Sequence, residues 1–184
     1  MSVLTVANQL TLLRVILIPA FVILVIYGYL GWALIVFASA CLTDALDGLT
    51  ARWSDQKSTL GAWLDPMADK LLALSTFIVL TVPWLGLANP LPIWLTVLII
   101  SRDVVIVGTV AIVNLAIGPR TFRPSFFGKI ATATYMMTAV VAMFYNYLGY
   151  HSLVVDTFVY ASLAITLISS MHYIYHAARI IEGR

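Results

Sequence analysis

Hydrophobic positions run along this chain in long, nearly unbroken stretches, and polar positions gather in short groups between them. The stretches cover about residues 9–28, 31–51, 60–82, 91–117, 127–148 and 153–178. Each is close to the roughly 20 residues that an α-helix needs to cross a bilayer. The interruptions are Gly28 to Gly31, Arg52 to Thr59, Pro83 to Pro92, Gly118 to Lys129 and Asn146 to Ser152. Gly and Pro are the usual punctuation between helices. The pattern predicts an all-α integral membrane protein of six transmembrane helices, forming a single membrane domain over residues 1–184. The second half does not visibly repeat the first, and no segment is of low complexity.

Composition strengthens this picture. Hydrophobic residues make up 62% of the chain and charged residues 10%, against roughly 45–50% and 25% in soluble domains. Mean hydropathy is +1.01. Too few polar side chains remain to cover a soluble globule of this size. A disordered chain, a nucleic-acid binder and a secreted disulfide scaffold are all excluded. Cys41 is the only cysteine, so no intrachain disulfide forms. No cleavable signal peptide is expected, because Arg14 lies inside the first apolar run and nothing basic precedes it.

The net charge of +2 matters less than where the charges fall. Arg52, Lys57, Arg120, Arg123, Lys129, Arg179 and Arg184 occupy the second and fourth connections and the C-terminal tail. The first, third and fifth connections hold no Lys or Arg. Basic residues favour the cytoplasmic side, so an even number of spans places both termini there. A bacterial inner membrane is the expected location.

Charges also lie within the apolar runs. Asp44 and Asp47 end the second, and Asp65 and Asp69 begin the third. A carboxylate at membrane depth costs at least about 2.5–3.5 kcal/mol on insertion scales and usually faces a cavity or a partner. Spacings of three and four put each pair on one helix face. A short cytoplasmic connection brings both pairs to similar depth. Four facing carboxylates cannot all stay ionised without countercharge. Either some are protonated or cations sit between them. Two hard divalent cations would balance the charge, take oxygen ligands and suit phosphoryl chemistry. Gly48, Ala51 and Gly61 share these faces and permit close approach, while Arg52 stands where a guanidinium can fork onto phosphate oxygens. The plainer alternative is a structural ion pair, which four aspartates with interleaved small residues do not suit.

These residues read DALDGLTAR, eight further residues, then GAWLDPMAD. The string resembles the signature of the CDP-alcohol phosphatidyltransferase family, D-x-x-D-G-x-x-A-R, about eight residues, G-x-x-x-D-x-x-x-D. Asp44, Asp47, Gly48, Ala51, Arg52, Gly61, Asp65 and Asp69 match every defined position. The resemblance implies a six-helix fold with a cytoplasmic site and transfer of a substituted phosphate from a CDP-linked donor to an alcohol, with release of CMP. It implies two divalent cations, Mg²⁺ or Mn²⁺, held by Asp44, Asp47 and Asp65, with Asp69 completing the site and serving as general base. It places Gly48, Ala51 and Arg52 along the CDP pocket, Arg52 on the diphosphate, and Gly61 at a close helix approach. It also implies a homodimer.

The acceptor is read from other strings. NQLTLLRVILIPAF at 8–21 and LDPMADKLL at 64–72 look like the glycerol-type branch, whose donor is CDP-diacylglycerol and whose acceptors are glycerol 3-phosphate or phosphatidylglycerol. Phosphatidylglycerophosphate synthases tend to carry Arg-Glu in the fourth segment and a second Arg about two turns on. Here Arg102 is followed by Asp103, and Val110 stands at the second position. The strings ISRDV, RPSFFGK and SSMHYIYHAARI look more like cardiolipin synthases. A phosphatidylglycerol acceptor needs fewer cations and more apolar wall. Arg102 and Lys129 are therefore candidate phosphate contacts. Arg120 and Arg123 join Lys129 as an alternative site for a phosphomonoester. Arg14 either neutralises the aspartates, touches lipid phosphate or snorkels to the interface.

Weaker signals remain. Arg102 could simply pair with Asp103, and Lys70 could balance Asp69. His172 and His176, one turn apart, suit a metal but sit with Tyr173 and Tyr175 in what reads as an interfacial belt. Trp84, Trp94, Tyr145, Tyr147 and Tyr150 mark the outer interface, and Asp156 faces outward. A proton-coupled transporter would spread ionisable groups across the bilayer instead of crowding them at one side. An Asp-rich prenyl-transfer enzyme would carry D-D-x-x-D clusters, which this chain lacks.

Overall fold

The structure, a computed structural model, describes residues 6–53, 59–117 and 126–182. For most residues in the helix stretches bordering the gaps, including 44–53 and 59–66, it describes the course of the backbone alone. Six α-helices follow in order: α1 (Val6–Ile26), α2 (Leu30–Trp53), α3 (Thr59–Thr81), α4 (Ile93–Ile117), α5 (Phe126–Leu148) and α6 (Leu153–Glu182). Among the described residues there is no strand. A single 3-10 turn, Pro83–Leu85, interrupts the connection from α3 to α4.

The helices coincide closely with the apolar runs, and the departures have local causes. Gly31, expected as part of a break, lies inside α2. The break is made by Gly28 alone. Its φ of +77° is the left-handed conformation that glycine adopts without penalty. The Tyr29 amide donates to Leu24 O at 2.8 Å and the Gly28 amide to Val25 O at 3.0 Å. This is the Schellman closure that ends a helix. Gly31 instead permits a close packing contact, since a Cβ there would lie 2.9 Å from the Tyr147 ring. At the far end α6 runs to Glu182, beyond the apolar run that predicted it.

The chain forms two compact units: Met1–Pro90 with Ala142–His151, and Leu91–Val141 with Ser152–Arg184. In the first, α1 packs along both α2 and α3. Phe21 and Val25 on α1 are buried, as are Ala33 and Phe37 on α2 and Leu72 and Leu80 on α3. The Phe21 and Phe37 rings meet at 5.4 Å. One end of this unit is tied by a reciprocal amide clamp. The Asn89 amide donates to Asn146 Oδ1 at 2.7 Å, and Asn146 Nδ2 donates back to Asn89 O at 3.1 Å. Asn89 Nδ2 adds a bond to Tyr150 O at 2.8 Å. Together with the Gly31–Tyr147 approach, the clamp gathers the connections at 27–29, 82–90 and 149–151 at one end. Tyr27, Tyr29, Trp32, Trp84, Tyr147 and Tyr150 are exposed there, the placement expected of an interfacial aromatic belt.

In the second unit α4 packs against α6, with the Trp94 and Tyr160 rings 6.4 Å apart. Two hydroxyl pairs join α5 to α6: Thr138 with Ser162 at 2.7 Å and Tyr135 with Thr166 at 2.6 Å.

Among the described residues two stretches, Phe126–Leu148 and Leu153–Tyr173, are long and apolar enough to cross a membrane. The apolar stretches Thr11–Ile26, Leu30–Thr43 and Lys70–Thr81 are shorter. Hydroxyls on these helices are met internally. Ser39, Ser75, Thr76, Thr81, Thr109 and Thr157 each donate to the carbonyl four residues back. Without water, a hydroxyl must find such a partner. The exterior is apolar over a wide area, with Leu12, Ile16, Ile23, Ile35, Val97 and Val104 all exposed, a surface fitted to lipid.

Candidate active site

The motif lies on two helices of the first unit. α2 continues without a break through Asp44, Asp47, Gly48, Ala51 and Arg52 to Trp53. α3 opens at Thr59 and carries Gly61, Asp65 and Asp69 in its first three turns. Unbroken helix preserves the spacings of three and four that set each aspartate pair on one face. The side chains of these eight residues lie outside the described set. Their surroundings are described. Cys41, one turn before Asp44, is a half-buried cysteine outside any disulfide. The Thr43 hydroxyl donates to Ala40 O at 2.7 Å. Ala68 and Leu72 are buried, while Met67 and Lys70 are exposed.

Arg14 is the most informative described residue of this unit. It is 0% exposed, and Thr11, one turn earlier, is 2% exposed. Snorkelling to the interface, one of the readings open from sequence, is therefore corrected: the guanidinium is enclosed by protein. A buried cation is tolerated only with acceptors around it. α1 packs on the two helices that carry the aspartates.

The acceptor candidates lie in the second unit or outside the described residues. Arg102 Nη1 pairs with Asp103 Oδ1 at 2.7 Å, and Arg102 Nη2 donates to Ser169 Oγ at 3.0 Å. The pairing open as an alternative from sequence is thus present, and Ser169 is an added partner that sequence reasoning missed. Lys129 is exposed in the first turn of α5. Arg120 and Arg123 lie outside the described residues, as do the side chains of Val110 and His176. The His172 ring rests against Phe127, with centroids 5.0 Å apart, in keeping with an interfacial position. Tyr173 departs from the belt reading, because its hydroxyl is buried. A signal for both missed residues was present: Ser162, Thr166, Ser169 and Tyr173 recur at intervals of four, three and four along one face of α6.

Comparison with known proteins bears on the whole of this arrangement. Residues 4–171 match the family model described as CDP-alcohol phosphatidyltransferase. A protein of Mycobacterium tuberculosis named probable phosphatidylglycerophosphate synthase is 34% identical, over 96% of this chain and 83% of its own length. The cardiolipin synthase (CMP-forming) of Rattus norvegicus is 33% identical, over 98% of this chain and 65% of its own length. The Streptomyces coelicolor protein of that name is 37% identical, over 73% of this chain and 62% of its own length. Relatives named for two different acceptors are thus about equally similar to the chain. The family match takes in the α2–α3 motif and most of the six helices, and on that extent the chain belongs to the CDP-alcohol phosphatidyltransferase family and is an enzyme of that class.

Proposed function

We propose that this enzyme transfers the phosphatidyl group of CDP-diacylglycerol to a primary hydroxyl of phosphatidylglycerol, forming cardiolipin and CMP. The observation that carries the reaction class is the complete motif on two unbroken helices, α2 and α3. The donor set of Asp44, Asp47, Asp65 and Asp69 is all carboxylate oxygen, which fits two hard divalent cations, Mg²⁺ or Mn²⁺. When bound, such cations supply charge neutralisation at the diphosphate. Arg52 binds the diphosphate, and Gly48, Ala51 and Gly61 let the nucleotide approach the helix backbones. Asp69 takes the proton from the acceptor hydroxyl. The hydroxyl oxygen forms a bond to the phosphatidyl phosphorus, the bond from that phosphorus to the bridging oxygen breaks, and CMP leaves with the electron pair. Arg14, buried on α1, offsets the negative charge of the aspartates. A lipid donor explains why such polar chemistry is housed among apolar helices.

The acceptor reading is supported by α4. Its only Arg or Lys is Arg102, followed at once by an acid, and Val110 stands two turns on. One cation suits a diester with a single charge. The alternative acceptor, glycerol 3-phosphate, is favoured by the M. tuberculosis relative's name and by the cluster of Arg120, Arg123 and Lys129. In our reading all six helices cross the membrane with both termini cytoplasmic. The tying together of the three connections that lack Lys and Arg supports this orientation. The enzyme acts as a homodimer, as the resemblance implies.

The test is CMP release from CDP-diacylglycerol by purified protein in vesicles with Mn²⁺ or Mg²⁺. Release that requires phosphatidylglycerol and yields cardiolipin is the expected result. Release with glycerol 3-phosphate alone would overturn the phosphatidylglycerol reading, and silence from folded protein with both would overturn the glycerol-type acceptor and move the search to other alcohols.

A further inference from the structure

A polar seam runs along the face of α6 that carries Ser162, Thr166, Ser169 and Tyr173. The first three are essentially buried, as are Thr138 and Tyr135 on α5. Two levels of the seam are closed: Ser162 with Thr138, and Thr166 with Tyr135. The next level is not. Arg102 reaches Ser169 through Nη2 and Asp103 through Nη1, and its side chain is 10% exposed. Its Nε–H has no hydrogen-bond partner among the described residues. The Tyr173 hydroxyl is also buried, and it too has no such partner. Tyr173 lies one turn beyond Ser169. Helical side chains lean toward the N-terminus of their helix, so its ring leans back toward the level at which Ser169 holds Arg102.

Two buried donors left open, one on the cation held by Ser169 and the other one helical turn along the same face of α6, are suited to an oxyanion. The local charge limits which one. Arg102 and Asp103 together sum to zero, and the second donor is a neutral hydroxyl. A phosphate diester brings one negative charge and two non-bridging oxygens. A phosphate monoester at neutral pH brings up to two charges, and the second would meet the negative charge of the Asp103 carboxylate.

We propose that Arg102 Nε and the Tyr173 hydroxyl bind the phosphodiester of the acceptor lipid, and that Asp103 makes this subsite selective for a singly charged phosphate. Ser169 is a positioning residue that holds the guanidinium. The inference rests on the acceptor reading above and names the residues that would enforce it.

Three proteins test it: wild type, Tyr173→Phe and Asp103→Asn, each full length and checked for an unchanged melting temperature. With Tyr173→Phe, KM for phosphatidylglycerol should rise about tenfold, the loss of one hydrogen bond to a charged group. KM for CDP-diacylglycerol should stay within twofold. With Asp103→Asn, the ratio of kcat/KM for glycerol 3-phosphate to that for phosphatidylglycerol should rise about tenfold, because one opposing charge is gone. A readout independent of turnover is lipid retention by native mass spectrometry after extraction from mixed phosphatidylglycerol and phosphatidylcholine vesicles. Wild type should retain phosphatidylglycerol selectively, and Tyr173→Phe should lose that selectivity. Equal retention by the two proteins, or equal rises in KM for both substrates, would overturn the proposal. If wild type uses glycerol 3-phosphate alone, the acceptor reading fails. The diester subsite then stands or falls on the retention difference.

Discussion

The two compact units carry their polar groups in contrasting ways. In the first, formal charge is concentrated in the α2–α3 motif and in Arg14, and the neutral polar groups form an amide clamp at the end where the connections meet. In the second, the described polar groups are mainly hydroxyls that bond one another along α6, with one ion pair, Arg102–Asp103, set against them. Hydroxyl pairs between helices in lipid are worth little, about 0.6 kcal/mol on average. Four carboxylates within two helix ends are costly unless something binds to them. The contrast teaches that neutral polar pairs hold helices together, whereas charge clustered on apolar helices calls for a bound countercharge.

Substitutions can break or sharpen that contrast. The largest effect is expected from removing metal: chelation should abolish CMP release, and added Mn²⁺ or Mg²⁺ should restore it. Next is Asp69→Asn, which should lower kcat by about 10²–10⁴-fold while the melting temperature and donor binding persist. Activity retained in this variant would erase the distinction between the motif and an ordinary structural ion pair.

The amide clamp should answer in the opposite way. Asn146→Ala leaves the Asn89 amide and carbonyl without the partners they now have, at a cost of about 1–3 kcal/mol. Thermal unfolding in detergent should shift downward, with KM for CDP-diacylglycerol unchanged. A smaller loss, about 0.6 kcal/mol, is expected from Thr138→Val on the seam. A change in acceptor KM with that variant would show that the closed levels of the seam also take part in binding. The smallest effect belongs to Gly31→Ala. The added methyl meets the Tyr147 ring at 2.9 Å, yet that side chain is 56% exposed and has room to swing aside. A net loss below about 0.5 kcal/mol is expected, since the helix preference of Ala over Gly offsets part of the contact, and Tyr147→Ala should remove it, as a double-mutant cycle would register.

Much of the fold was legible in the chain because apolar surroundings make helix formation a local matter. Backbone groups there must be satisfied within the segment, so a run of about 20 apolar residues already specifies a helix. All six runs became helices, and Gly28 ended α1 through its own backbone conformation. The motif was legible for the same reason, since its spacing needs only helical periodicity to align each aspartate pair. Gly31 was misread as a break because a glycine serves a turn and a close packing contact equally well, and only Tyr147, far along the chain, distinguishes them.

Tertiary structure decided which residues meet. Asn89 finds Asn146 across 57 residues and Arg102 finds Ser169 across 67. The chain does not announce such partners, because helices that are apolar all round lack the one-sided pattern that tells an inward face from an outward one. The enclosure of Arg14 and of the Tyr173 hydroxyl followed from packing alone. Local sequence therefore determined the helices and the aspartate motif, through backbone satisfaction and helical period. The neighbours of each buried polar group were decided only when the helices packed, because in an apolar surrounding a polar side chain is placed by the partner it can reach.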